Sequence, residues 1–66
     1  ALRAWRLDEA RRNAVAPFVV LHDRTLIAIA SELPASPGEL SSIPGIGPAK
    51  LASYGDAILN IVKGSR

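Results

Sequence analysis

No cysteine occurs anywhere in this chain of 66 residues, and that absence constrains the fold more than any residue present. A chain this short buries only about 60% of the surface it exposes when unfolded, so its core is thin. Scaffolds of this size usually add a disulfide or a metal as a staple. With no cysteine and His22 as the sole imidazole, disulfide frameworks, zinc fingers, iron–sulfur sites and cysteine nucleophiles are excluded. Stability must come from hydrophobic packing, for which a 48% hydrophobic content is adequate. Trp5, Phe18 and Tyr54 are the only aromatic residues, so that core is aliphatic.

Charge narrows the partners. The isoelectric point is about 9.7, yet eight basic and six acidic side chains leave a net charge of only +2. Arg3, Arg6, Arg11 and Arg12 are interleaved with Asp8 and Glu9 at spacings that favour helical pairs, Asp8 with Arg11 or Arg12 and Arg6 with Glu9. A partner carrying phosphates fits this balance; a wide electrostatic footprint does not. The longest apolar stretch, Val15 to Leu21, contains Pro17 and falls far short of the ~20 residues of a membrane span. The lack of cysteine fits a reducing compartment. The lack of methionine, even at position 1, suggests a domain excised from a longer protein, and the excess of arginine and alanine fits a bacterial source.

Residues 1 to about 14 are good helix formers without Gly or Pro, with Leu2, Trp5, Ala10 and Ala14 as an inner face. Val15 to His22 is β-branched and holds Pro17. A lone strand has no partner in a chain this size, so the segment is expected to be an extended connector. Asp23 is expected to N-cap a second helix whose stripe is Leu26, Ile29, Ala30 and Leu33, ended by Pro34. Ser36-Pro37-Gly38-Glu39 carries the signature of a capping box and opens a third helix with Leu40 and Ile43 inward. A fourth helix is expected from Pro48 to Tyr54, with Gly55 as punctuation. Asp56 then caps a fifth, running to about Lys63 before Gly64. The fold class is therefore all-α, a compact bundle of five short helices forming a single domain over 1–66.

The turn Ile43-Pro44-Gly45-Ile46-Gly47-Pro48 is the segment most suited to chemistry. Two glycines bracketing an apolar residue before a helix make a helix-hairpin-helix-like turn. Its Gly45 to Gly47 amides and the positive end of the following helix suit one phosphate, with Lys50 adding a charge. Pro48 removes one amide donor. The alternative is that the turn only packs two helices, with Ile46 plugging the core.

The order Leu2-x-x-Trp5-Arg6, Ala10, Val15-x-Pro17-Phe18-Val19-Val20, Asp23-x-Thr25-Leu26, Ala30, Pro34, Glu39-Leu40, Ile43-x-Gly45-x-Gly47-x-x-Lys50-Leu51 and Tyr54-Gly55 resembles the HRDC domain, named for helicases and the C-terminal part of RNase D. The resemblance spans residues 1–63 and implies a five-helix bundle serving as an accessory domain of a RecQ-type DNA helicase, an RNase D or a UvrD-like helicase, with the RecQ type favoured. Some members bind single-stranded DNA weakly through the first connector and the Gly-x-Gly turn. Others contact the helicase core or a protein partner. The connector aromatic used by DNA-binding members falls on Phe18, and Lys50 is carried over as a phosphate contact. Pro48 and Ala49 stand where more basic members carry further charge. A cytoplasmic, nucleoid-associated location and a monomeric isolated domain accompany this resemblance.

The candidate nucleic-acid-binding residues are thus Phe18, Arg24, Gly45, Ile46, Gly47 and Lys50. Phe18 is either a base-stacking platform or core packing. Trp5 and Tyr54 read as core, His22 as a surface imidazole beside a cap, and Ile27 with Ala28 as an exposed apolar patch for docking. No catalytic residue, cofactor or metal site is expected, because the carboxylates are scattered and no nucleophile or phosphate-binding loop is present. Two functions remain. One is an accessory domain binding single-stranded or junction DNA weakly. The other is a regulatory domain docking on the parent helicase core or another protein.

Overall fold

The computed structural model describes residues 1–65. Its elements are α1 (Leu2–Arg12), α2 (Pro17–Val20), α3 (Asp23–Glu32), α4 (Pro37–Ser41) and α5 (Pro48–Ser65), with no strand among the described residues. The expected all-α architecture of five helices is present, but two of the five are not those anticipated.

The first difference lies in the connector, which folds into the single turn of α2. Pro17 occupies its first position, where the fixed φ of proline is already helical and no N–H is needed. The turn also sinks Val20 and Leu21 into the core, each 1% exposed. Packing therefore overrides the β-preference of Val19 and Val20. The second difference is that Gly55 does not interrupt the last helix, so the expected fourth and fifth helices are one continuous α5. Glycine in a helix interior costs about 1 kcal/mol relative to alanine. Here it sits under close packing: a Cβ at Gly55 would stand 3.2 Å from Leu51 Cδ1 and 4.0 Å from Leu40 Cδ2. Asp56 is consequently an exposed residue inside α5 and caps nothing, and Gly64 lies within the helix.

Other boundaries follow the sequence closely. Ser36 Oγ accepts from the Glu39 amide at 3.2 Å, and Pro37 opens α4. The Glu39 carboxylate returns to the Ala35 amide (3.1 Å), one residue before the cap. Leu33 ends α3 in the left-handed region (φ 48°). The core gathers Ala10, Val20, Leu21, Leu26, Ile29, Leu40, Ile43, Ile46, Ile58 and Val62, with Leu2, Trp5, Leu33, Leu51 and Tyr54 packed against it. Trp5 and Tyr54 meet edge to face, their centroids 5.5 Å apart. Two expected core positions are exposed: Ala14, which turns out of α1 at φ 54°, and Ala30.

The hairpin between α4 and α5 is built against α3. Gly45 takes φ +96°, and a Cβ there would run into Thr25 Oγ1. That hydroxyl is 2% exposed as a residue and donates to the Pro44 carbonyl at 3.1 Å. Around Gly47, by contrast, an added Cβ meets nothing within 4 Å. Gly45→Ala is therefore expected to lose about 2–4 kcal/mol, combining left-handed strain with overpacking. Gly47→Ala should lose less than about 1 kcal/mol, the ordinary effect of replacing glycine near a helix start. Urea denaturation of the two variants checks both values.

Candidate nucleic-acid interface

A helix of four residues has no stability of its own, because nucleation is unfavourable and few internal bonds form. After Val20 the chain turns extended at Leu21 (φ −152°, ψ 138°), so the last carbonyls of α2 have no following helical N–H to accept from. Two cations from distant elements take that place. Lys50 Nζ donates to the Val19 carbonyl at 3.0 Å and to the Val20 carbonyl at 2.8 Å. Arg6 Nη1 donates to the next carbonyl, that of Leu21, at 2.9 Å. Cations at a helix C-terminus also gain from its dipole.

Arg6 was not foreseen as a buried residue, although its place between Leu2 and Ala10 at four-residue spacing puts it on the inner stripe of α1. It is 9% exposed, and the same Nη1 reaches Asp23 Oδ1 at 2.7 Å, with Arg3 more distant at 3.8 Å. The expected Arg6–Glu9 pair is thus replaced, and Glu9 pairs with Arg12 at 3.0 Å. Asp23 is likewise not the N-cap: His22 holds that position without a side-chain bond, and Asp23 is the first residue of α3. The hydrogen bond from Arg6, then its charge, holds the Asp23 carboxyl below the ordinary carboxylate range, with smaller help from Arg3 and His22 against a slight opposing effect of burial.

With its base pinned, α2 presents Phe18 and Val19 outward, and Val15 is exposed just before it. Phe18 is 60% exposed and Val19 49%, so Phe18 is not core. Its ring leans on His22, with centroids 6.2 Å apart and planes at 30°. The structure brings α2 and the hairpin together through Lys50, and α3 to the hairpin through Thr25. Arg24, exposed, is the neighbour of Thr25 in the same turn. Ile46 is 6% exposed and its amide donates to the Ile43 carbonyl at 3.1 Å, so it supports the turn from beneath. Gly45 and Gly47 are on the surface. Lys50 is half-buried and engaged by two carbonyls, which leaves one of its three N–H donors.

Among the described residues no three His, Asp or Glu side chains gather as a metal site would require, and no helix is long and apolar enough to cross a membrane. Away from α2, Leu2, Leu26, Ile27, Ala30 and Val62 line an open apolar groove of about 570 Å³ with Arg3 at its rim. Ile27 is 57% exposed there, whereas Ala28, its expected companion, is half-buried against the core.

Arg6→Met leaves the buried Leu21 carbonyl without its charged donor and should lower stability by about 2–3 kcal/mol in denaturant titrations. The Arg6–Asp23 contact also carries a pH signature. A carboxyl whose pKa is lower folded than unfolded stabilises fully above its unfolded value, and that contribution is lost as pH falls through the depressed folded value. Stability of the native chain should thus decline below about pH 4. Asp23→Asn should flatten that decline while leaving the profile above pH 6 parallel to wild type. Thermal melts across pH 2–7 measure both.

The HRDC domain model matches residues 1–62. ATP-dependent DNA helicase UvrD2 of Mycobacterium tuberculosis is 48% identical over 63 residues, covering 96% of this chain and 9% of that protein. ATP-dependent DNA helicase RecQ of Bacillus subtilis is 39% identical over 62 residues, covering 94% of this chain and 10% of its own length. The chain therefore spans about a tenth of these relatives, and its identity to the UvrD2 protein exceeds that to the RecQ protein. Among solved structures, D. radiodurans RecQ HRDC domain 3 superposes with a TM-score of 0.92 at 31% identity, over 97% of this chain and 84% of that one. By sequence and by fold, this chain belongs to the HRDC domain family.

Proposed function

We propose that this HRDC domain is a non-catalytic accessory module of a bacterial ATP-dependent DNA helicase, and that it binds single-stranded or junction DNA weakly through the face formed by α2 and the hairpin. The observation that carries this reading is the exposure of Phe18. A large ring left 60% open on a helix pinned from beneath is a surface on which a base can stack. Arg24 supplies an exposed charge in the first turn of α3, and Gly45 and Gly47 are exposed just before α5, where a phosphate would gain from the helix start. With few phosphate contacts, affinity falls in the range of about 10⁻⁴–10⁻⁶ M and weakens with salt.

The groove beside Ile27 favours a second reading, in which the domain docks on the parent helicase or another protein. The two readings use different faces, so one titration separates them. Adding a single-stranded oligonucleotide to labelled chain at two salt concentrations should shift the amides of residues 15–24 and 45–50 in fast exchange, less at the higher salt. Phe18→Ala should weaken binding about tenfold or more without lowering stability, since stacking is worth about 1–3 kcal/mol per base and this ring is largely solvated. Absence of shifts at millimolar oligonucleotide overturns the DNA reading. Shifts confined to residues 26–33 on addition of a helicase core favour docking.

A further inference from the structure

We infer that Lys50 serves the DNA-binding face as a positioning residue: by holding the last two carbonyls of α2 it fixes the turn that presents Phe18, and it does not itself meet a phosphate. The inference rests on the reading of α2 as a base-stacking face. Lys50 is the third residue of α5, and the buried Ile46 anchors the hairpin just before it. From there its ammonium reaches residues 30 and 31 positions away in sequence, at 2.8 and 3.0 Å. Both bonds end on carbonyls that α2 cannot satisfy internally, and the Val20 contact is partly buried. Two of its three donors are engaged in these bonds, and drawing the ammonium away from the carbonyls toward a phosphate would break two charge-assisted bonds for the gain of one contact. The Phe18 ring projects from the same turn that these bonds close.

The two roles diverge in a mutant cycle. Lys50→Met keeps the length of the side chain and removes its charge and donors. If Lys50 acts through Phe18, Lys50→Met weakens single-strand binding about five- to tenfold in the wild-type background and less than twofold when Phe18→Ala is already present. The slope of log affinity against log salt stays unchanged. In the chain without DNA, exchange of the Val19 and Leu21 amides quickens at least tenfold while the Trp5 and Tyr54 ring shifts hold. Lys50→Gln, which loses the charge but keeps an N–H donor, recovers part of the lost affinity, and it carries the comparison should Lys50→Met not fold. Additive effects with a salt slope reduced by about 0.7, the signature of one lost phosphate contact on a single strand, overturn the proposal. So does unaltered exchange at Val19 and Leu21. If the wild-type chain binds no oligonucleotide, the DNA reading itself fails, and the exchange data still report whether Lys50 holds α2.

Discussion

Three successive carbonyls, those of Val19, Val20 and Leu21, accept hydrogen bonds from two cationic side chains, and the arrangement of the domain depends on that contact. Arg6 comes from α1 and Lys50 from α5, so the one-turn helix between them ties the first and last helices together, alongside the Trp5–Tyr54 contact. Val20 and Leu21 fill the core on the inner side of this turn, while Phe18 and Val19 are turned to solvent on the other. Without Arg6 the buried Leu21 carbonyl would lose its donor, an arrangement folded proteins avoid. A domain with neither disulfide nor metal thus gains a polar cross-link through ordinary side chains.

The same contact changes how the charge should be read. Net charge is +2, but its basic members are not equally available. Arg6 is buried against Asp23 and Leu21, Lys50 is turned to carbonyls, and Arg12 is paired with Glu9. These three of the eight basic side chains are thus engaged within the domain. A face whose most exposed large apolar side chain is one aromatic ring is suited to stacking, which is why the proposed affinity is weak and the proposed role auxiliary.

The Ser36-Pro37 start of α4, the buried Leu40 and Ile43, and the Gly45 hairpin were legible in the sequence because each depends on local chemistry: a hydroxyl acceptor, a fixed φ, a required positive φ. The HRDC pattern was legible for the same reason, its spaced residues being mostly caps, turns and core positions. The α2 turn was not, because Val19 and Val20 locally prefer extended backbone, and burial of Val20 and Leu21 together with bonds from the distant Lys50 and Arg6 decides otherwise. Gly55 misled for a related reason: as a local signal it reads as a stop, whereas in the fold it lies buried inside α5, tight against the Leu51 side chain. Asp23 looked like a cap because the guanidinium that engages it lies seventeen residues earlier in the chain. Within the candidate site, the placement of Phe18 at the surface needed the structure, since periodicity cannot tell which side of a single turn faces water.

The separation in sequence between Lys50 and the carbonyls it holds has a consequence for the order in which the chain assembles. Helices α1, α3 and α5 are held by local bonds and begin to form independently, whereas the bonds from Lys50 close a loop of about thirty residues and require α5 already docked. The α2 turn therefore gains its Lys50 bonds only once α5 has docked. The Phe18 ring accordingly sits outside a turn whose inner side, Val20 and Leu21, is part of the core, so anything that reshapes that face must also move the packing behind it.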